Sequence, residues 1–158
     1  MDALAKLQAI EEIKQLKARY FRTLDTQDWA GMAQVFCKDA EFDNTEGGIV
    51  TPVGGRPEGQ AGVVTRGREA IMAWISGSFT HSTCVHHGHG HEITIDSPTE
   101  AHGIIAMMDD IRGLDRKTRF VHAMGHYTES YRFEDGAWRI AKTKLTRLFR
   151  DILGKRDR

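Results

Sequence analysis

The sequence predicts an α+β domain, with helices first and a curved antiparallel sheet after them. Three observations carry this. Near the start, apolar residues recur at three- and four-residue spacing, the period of an amphipathic helix. The second half divides into four long strand-like runs, punctuated by Pro98 and by the hairpin signal Asp135-Gly136. Helices followed by a meander of strands is the α+β order. Strands of this length twist and curl, and a curled sheet with helices over its concave side encloses a cavity.

The 158 residues are a normal length for one compact domain with one core. We read residues 1–158 as a single unit with a glycine-rich insert at about 44–67. Lys plus Arg and Asp plus Glu both number 22, so the formal charge is zero with neutral His. That balance argues against a nucleic acid or an anionic membrane as partner. No apolar run approaches the roughly 18 residues of a membrane span. The N-terminus M-D-A-L-A-K-L-Q-A-I-E-E alternates charged and apolar residues, unlike a signal peptide. Cys37 and Cys84 lie far apart in no metal or redox spacing, which fits a reduced, cytoplasmic setting.

Residues from about 3 to 26 form the first expected helix, with Leu7, Ile10, Ile13, Leu16, Tyr20 and Leu24 as its apolar stripe. Asp28 is a plausible N-cap for a second short helix, W-A-G-M-A-Q-V-F-C. Ala40–Asp43 reads as a short strand, and residues 44–67 gather most of the turn formers into a long loop or lid. That loop lacks both glycine-rich phosphate-binding patterns and their strand-to-helix context, so it is not read as a nucleotide site. Arg68–Ser76 is a third helix. The strands are Val85–Asp96, Ala101–Gly113, Thr118–Phe133 and Ala137–Phe149, followed by a charged tail expected to fray.

Chemistry concentrates in His81–Asp96, which holds five of the eight histidines. Three readings compete there. On a strand, alternate residues share a face, so His87, His89 and His91 could line up as metal ligands with Glu92 opposite. They could instead be half-buried structural histidines bonded locally. Or one is a general base, since an imidazole with an ordinary pKa of about 6.5 exchanges protons near neutrality. Such a base needs a carboxylate to fix its tautomer. Tyr20 and Asp25 sit on or beside the buried stripe of the first helix; a shared site for them requires a pocket that wraps the helix end, and otherwise they are a core aromatic and a solvated helix terminus. Asp109 alternates with Ile105 and Met107, and a carboxylate on an apolar face is costly unless paired. Arg147, in the apolar setting of the last strand, is its candidate partner, either as a structural ion pair or as part of a pocket wall.

The stretches I-E-E-I-K-Q-L-K-A-R-Y-F-R-T-L-D, H-H-G-H-x-x-E-I-T-I-D, M-D-D and F-E-D-G-A-W-R-I-A-K-T-K-L-T-R resemble the SnoaL-like branch of the nuclear transport factor 2-like superfamily. The resemblance runs from about residue 8 to 150, with the insert at 46–64 fitting poorly. Within the branch the chain is most similar to the bile acid 7α-dehydratases, and more distantly to hexachlorocyclohexane dehydrochlorinase and scytalone dehydratase. The resemblance implies a cone-shaped barrel of curved sheet capped by helices, a deep apolar pocket and no cofactor or metal. It implies catalytic roles for Tyr20, Asp25, His86, Asp109 and Arg147; beside them, His87 and His89 stand as pocket alternates and, with Met107 and His126, as candidate substrate contacts. Strict alternation puts His87, not His86, in phase with Ile93 and Ile95, so His86 can face the pocket only if a bulge at Gly88 and Gly90 resets the phase. The activity it implies is a dehydratase acting on a polycyclic apolar substrate. An isomerase or a halide-eliminating lyase would use the same residues, and the superfamily also holds members that only bind or scaffold. A homo-oligomer, dimer or trimer, is expected.

Overall fold

The computed structural model describes residues 1–50, 56–114 and 119–151. Helix α1 spans Ala3–Asp25, capped by the Asp2 side chain, which accepts from the backbone N–H of Ala5. Its buried face is Ala9, Ile13, Leu16, Lys17, Tyr20, Phe21 and Leu24, with Thr23 beside them. Leu7, expected on that face, is 64% exposed. Helix α2 is Trp29–Ala33, capped by Asp28 as the sequence predicts. It is shorter than expected because Phe36 and Cys37 leave it for strand β1, Phe36–Asp43. There the Ile140 N–H donates to the Val35 carbonyl at 2.8 Å, and this pairing outweighs the small gain of extending a one-turn helix.

The loop region is not structureless. It contains β2 (Ile49–Val50), β3 (Glu58–Gly59) and β4 (Val64–Arg66), each paired into the sheet. Residues 51–55 of the expected lid, and the charged tail from 152 onward, lie outside the described residues. Helix α3 runs Arg68–Phe79, and four long strands follow: β5 (Ser82–Ile95), β6 (Glu100–Gly113), β7 (Arg119–Glu134) and β8 (Ala137–Asp151).

The sheet order is β3-β2-β8-β7-β6-β5, with β1 beside β8 and β4 beside β1. β5 to β8 form an antiparallel meander, and β1 joins β8 in parallel. The sheet curls without closing, and its inner face is covered by α1 and α3. Inward residues fall in rows across the strands. One row is His86–Asp109–Ala123–Arg150; the next is Gly88–Met107–Gly125–Arg147. Ile105–Tyr127–Leu145 comes next, then Gly103–Glu129–Thr143. Among the described residues, no helix is long and apolar enough to cross a membrane.

Candidate active site

A glycine decides how α1 meets the sheet. A Cβ on Gly88 would lie 2.5 Å from Phe21 Cε2, so only glycine lets the end of α1 pack this closely against β5. The Phe21 ring then lies parallel to that of His86, with centroids 6.3 Å apart, while Phe79 from α3 meets the same imidazole edge-on at 5.9 Å. The approach also brings Asp25, the last residue of α1, onto His86. Asp25 Oδ2 accepts the His86 backbone N–H at 2.9 Å, and Oδ1 lies 2.6 Å from His86 Nδ1. The His86 side chain is only 2% exposed and that of Asp25 21%. A carboxylate accepts only, so Nδ1 carries the proton and, in the neutral imidazole, Nε2 is the nitrogen that keeps its lone pair.

The phase problem is resolved by a bulge. Pairing between β5 and β6 shifts between His89 and Glu92, and Gly90 takes φ +50°, a conformation natural to glycine. His86 and Gly88 therefore face inward before the bulge, and Ile93 and Ile95 pack against the core after it. The same shift corrects two candidate substrate contacts. His87 and His89 are exposed on the outer face, their rings stacked 6.1 Å apart. It also separates them from the half-buried His91, so the three do not align as a ligand set. His126 is likewise an outer-face residue, in the row His89–Ala106–His126–Thr146, half-buried and away from the cavity. Met107 does point inward and is buried, but it belongs to the core and not to the cavity wall.

The cavity has a volume of about 350 Å³, within the range of small-molecule sites. Leu24, Trp74, Ile75 and Phe79 line the helix side, and Phe42, Ile111, Val121 and Leu145 the sheet side. Into this apolar space project Tyr20, His86, Asp109, Tyr127, Arg147 and Arg150. Four of the five residues read as catalytic thus share one cavity, and the fifth, Asp25, stands behind His86 and holds it.

Asp109 and Arg147 form the expected pair, with Nη1 donating to Oδ1 at 3.0 Å and Nη2 to Oδ2 at 2.7 Å. Arg147 Nε also donates to the Gly47 carbonyl at 2.7 Å, tying the glycine-rich segment to β8. The Tyr20 hydroxyl is held well above its ordinary pKa, first by burial, then by the neighbouring Tyr127 and by Glu129 and Asp109. Burial thus favours the neutral phenol, which is hydrogen-bonded with Tyr127. Tyr127 is raised as well, chiefly by burial.

Beneath the tyrosines lies a buried ion pair that the sequence reading missed. Lys17 Nζ is 2.6 Å from Glu129 Oε1, both side chains wholly buried. Thr143 Oγ1 donates to the same oxygen at 2.9 Å, and the Tyr131 hydroxyl donates to Oε2 at 2.7 Å. The ammonium also sits 4.0 Å from the Tyr20 ring centre and 3.6 Å from that of Tyr127. Burial lowers the Lys17 pKa against the opposing pull of Glu129. A signal existed in the sequence: Glu129 alternates with Tyr127 and Tyr131, and Lys17 falls four residues after Ile13 on the buried stripe.

Among the described residues, two groups bring donor atoms within 4.8 Å of one another: Asp25, Cys84 and His86, and Cys37, Asp39 and Glu134. In the first, the 2.6 Å contact between Asp25 and His86 is a hydrogen bond, and an ion would have to part it.

The SnoaL-like domain family matches residues 5–144. Among solved structures, a candidate scytalone dehydratase from Novosphingobium aromaticivorans is similar at 19% identity, over 95% of this chain and 91% of that one, with a TM-score of 0.77. A type 2 hexachlorocyclohexane dehydrochlorinase is similar at 17% identity, over 98% and 95%, with a TM-score of 0.76. A Mycobacterium tuberculosis protein of unknown function is similar at 25% identity, over 87% and 70%, with a TM-score of 0.68. By the extent of the family match and by this shared architecture, the chain belongs to the SnoaL-like domain family.

Proposed function

We propose that this chain is a cofactor-independent lyase, a dehydratase acting on a polycyclic, steroid-like or polyketide-like apolar molecule. One observation carries the reading: the two-point hold of Asp25 on His86, which leaves Nε2 as a bare base at an apolar cavity. His86 Nε2 takes a proton from a carbon made acidic by an adjacent carbonyl. The C–H electron pair becomes a C=C bond as the C–O bond to a β-hydroxyl breaks, and the departing oxygen takes up a proton and leaves as water. Tyr20 supplies the hydrogen bond, or the proton, to the oxygen that gains charge. Asp25 stabilises the imidazolium that forms. Asp109, the cross-strand neighbour of His86, and its partner Arg147 polarise the sheet wall, in a space where apolar side chains strengthen each of these interactions.

The choice of dehydration rests on the resemblance to the bile acid 7α-dehydratases. Isomerisation and halide elimination would begin with the same proton abstraction. The test is to incubate the protein with a panel of polycyclic β-hydroxy ketones and β-halo ketones and identify products by mass spectrometry. Loss of water, reduced about a hundred- to ten-thousand-fold in His86→Gln and Asp25→Asn while the circular dichroism is unchanged, is the expected result. Loss of halide alone, or a shifted double bond at unchanged mass, would replace dehydration with one of the related reactions. Turnover that survives both substitutions would refute the dyad. The exposed apolar residues Val85, Ile104, Met124, Leu148 and Phe149 support self-association as a dimer or trimer, which light scattering would measure.

A further inference from the structure

We infer that the cavity accepts a ligand carrying one anionic group, a carboxylate in the first instance, on the side away from His86, and that Arg150 receives it. The inference rests on the reading of this cavity as the substrate site, and it narrows the substrate class.

Arg150 closes the inward row that begins at His86 and passes through Asp109 and Ala123. Three strand spacings set the two ends of that row about 14 Å apart at the backbone. Ala123 contributes only a methyl group, so the floor between Asp109 and Arg150 stays low. Both arginines of β8 that face this way line the cavity, but their charges differ in standing. Arg147 is neutralised by its two bonds to Asp109, and its third donor is on Gly47. Among the described residues Arg150 has a single bond, from Nη1 to the Gly48 carbonyl at 3.0 Å, and no carboxylate pairs with it. A carbonyl orients a guanidinium without cancelling its charge. The group is half-buried and retains unused donors in a planar fork.

An uncompensated cation at the edge of an apolar hollow is costly unless an anion meets it. One free positive charge matches one negative charge, and the fork matches the two oxygens of a carboxylate. Between Arg150 and His86 the row holds Asp109, whose charge is met by Arg147, and the surrounding wall is hydrocarbon and aromatic, from Trp74, Phe79, Ile111 and Val121. The ligand that satisfies both ends has an apolar ring body, an acidic C–H under His86 and an anion at the far end.

The experiment uses the full chain and two fluorescent probes that differ only in charge, pyrenebutyrate and pyrenebutanamide. The wild type is expected to bind the carboxylate roughly tenfold to a hundredfold more tightly than the amide, the range of a charged hydrogen bond. Arg150→Met should bring carboxylate affinity down to that of the amide and leave amide affinity unchanged. Arg150→Lys should keep most of the preference, which controls for loss of structure. Equal affinity of the wild type for the two probes, a preference that survives Arg150→Met, or binding of neither probe would overturn the assignment. The lyase reading is decided separately, by whether His86→Gln abolishes water loss, so the two can fail independently.

Discussion

Asp25 holds His86 at two points at once, its main chain through Oδ2 at 2.9 Å and its ring through Oδ1 at 2.6 Å. The first bond fixes where β5 passes the end of α1, and the second fixes which ring nitrogen carries the proton. A helix terminus thus sets both the position and the tautomer of a group 61 residues away in sequence. The arrangement depends on packing upstream of it, and that dependence is testable.

Gly88→Ala should disturb the dyad without touching it. The added methyl would lie 2.5 Å from Phe21 Cε2, so the end of α1 must move away from β5. Overpacking of this kind costs about 1–3 kcal/mol. Urea denaturation should show that loss, and turnover should fall by more than the folded fraction explains.

Lys17→Met should be among the most damaging single changes outside the cavity. It leaves the Glu129 carboxylate buried without its cation, a loss of about 3–5 kcal/mol. Adding Glu129→Gln removes the stranded charge, keeps an acceptor for one of the Tyr131 and Thr143 hydroxyls and offers the other an amide donor, so the double variant should recover most of the stability. Thermal denaturation of the two variants side by side measures the difference.

The two cysteines should be inert in the folded protein. Burial pushes the thiols of Cys37 and Cys84 up to about 12, so almost no thiolate is present near neutral pH. Alkylation with iodoacetamide at pH 8 should label neither until denaturant is added, as mass spectrometry would show.

Three carboxylates on β1 link stability to acid. Asp39 is held below its usual range chiefly by a hydrogen bond from Arg132, Glu41 by one from Lys142, and Asp43 by one from Thr45. Their folded pKa values lie below the unfolded ones, so the unfolded chain binds more protons as pH approaches about 4. The stabilisation is present above that pH and is lost as pH falls through the folded values. The urea midpoint should drop below about pH 4, less steeply in Glu41→Gln and less steeply in high salt.

Much of this architecture was legible because its signals are periodic. The stripe from Ile13 to Leu24 gave α1 almost to the residue, and alternation through Ile105, Met107 and Asp109 put that carboxylate on the inner face, where Arg147 meets it. The bulge at Gly90 was visible as a possibility, since glycine tolerates the positive φ it adopts. Which histidine it would turn inward was not, because a one-residue shift exchanges the faces and the period itself is silent about where the shift falls. His87 and His89, kept as pocket alternates, lie on the outer face for this reason, and His126, on β7, lies there independently of that bulge. Arg150 was hidden by a second shift, between Met124 and Gly125 on β7, which returns it to the inner face three residues after Arg147. Lys17 carries no local signal of its pairing, because its partner lies 112 residues away.

On the proposed mechanism, Asp25 leaves His86 as a base with its free nitrogen toward the cavity. Nitrogen-15 NMR of protein labelled at histidine measures this directly. At pH 8 the His86 ring should show a protonated Nδ1 and a bare Nε2, and Asp25→Asn should abolish that fixed tautomer. A His86 ring protonated at Nε2 in the wild type, or one indifferent to the loss of the Asp25 charge, would contradict the account.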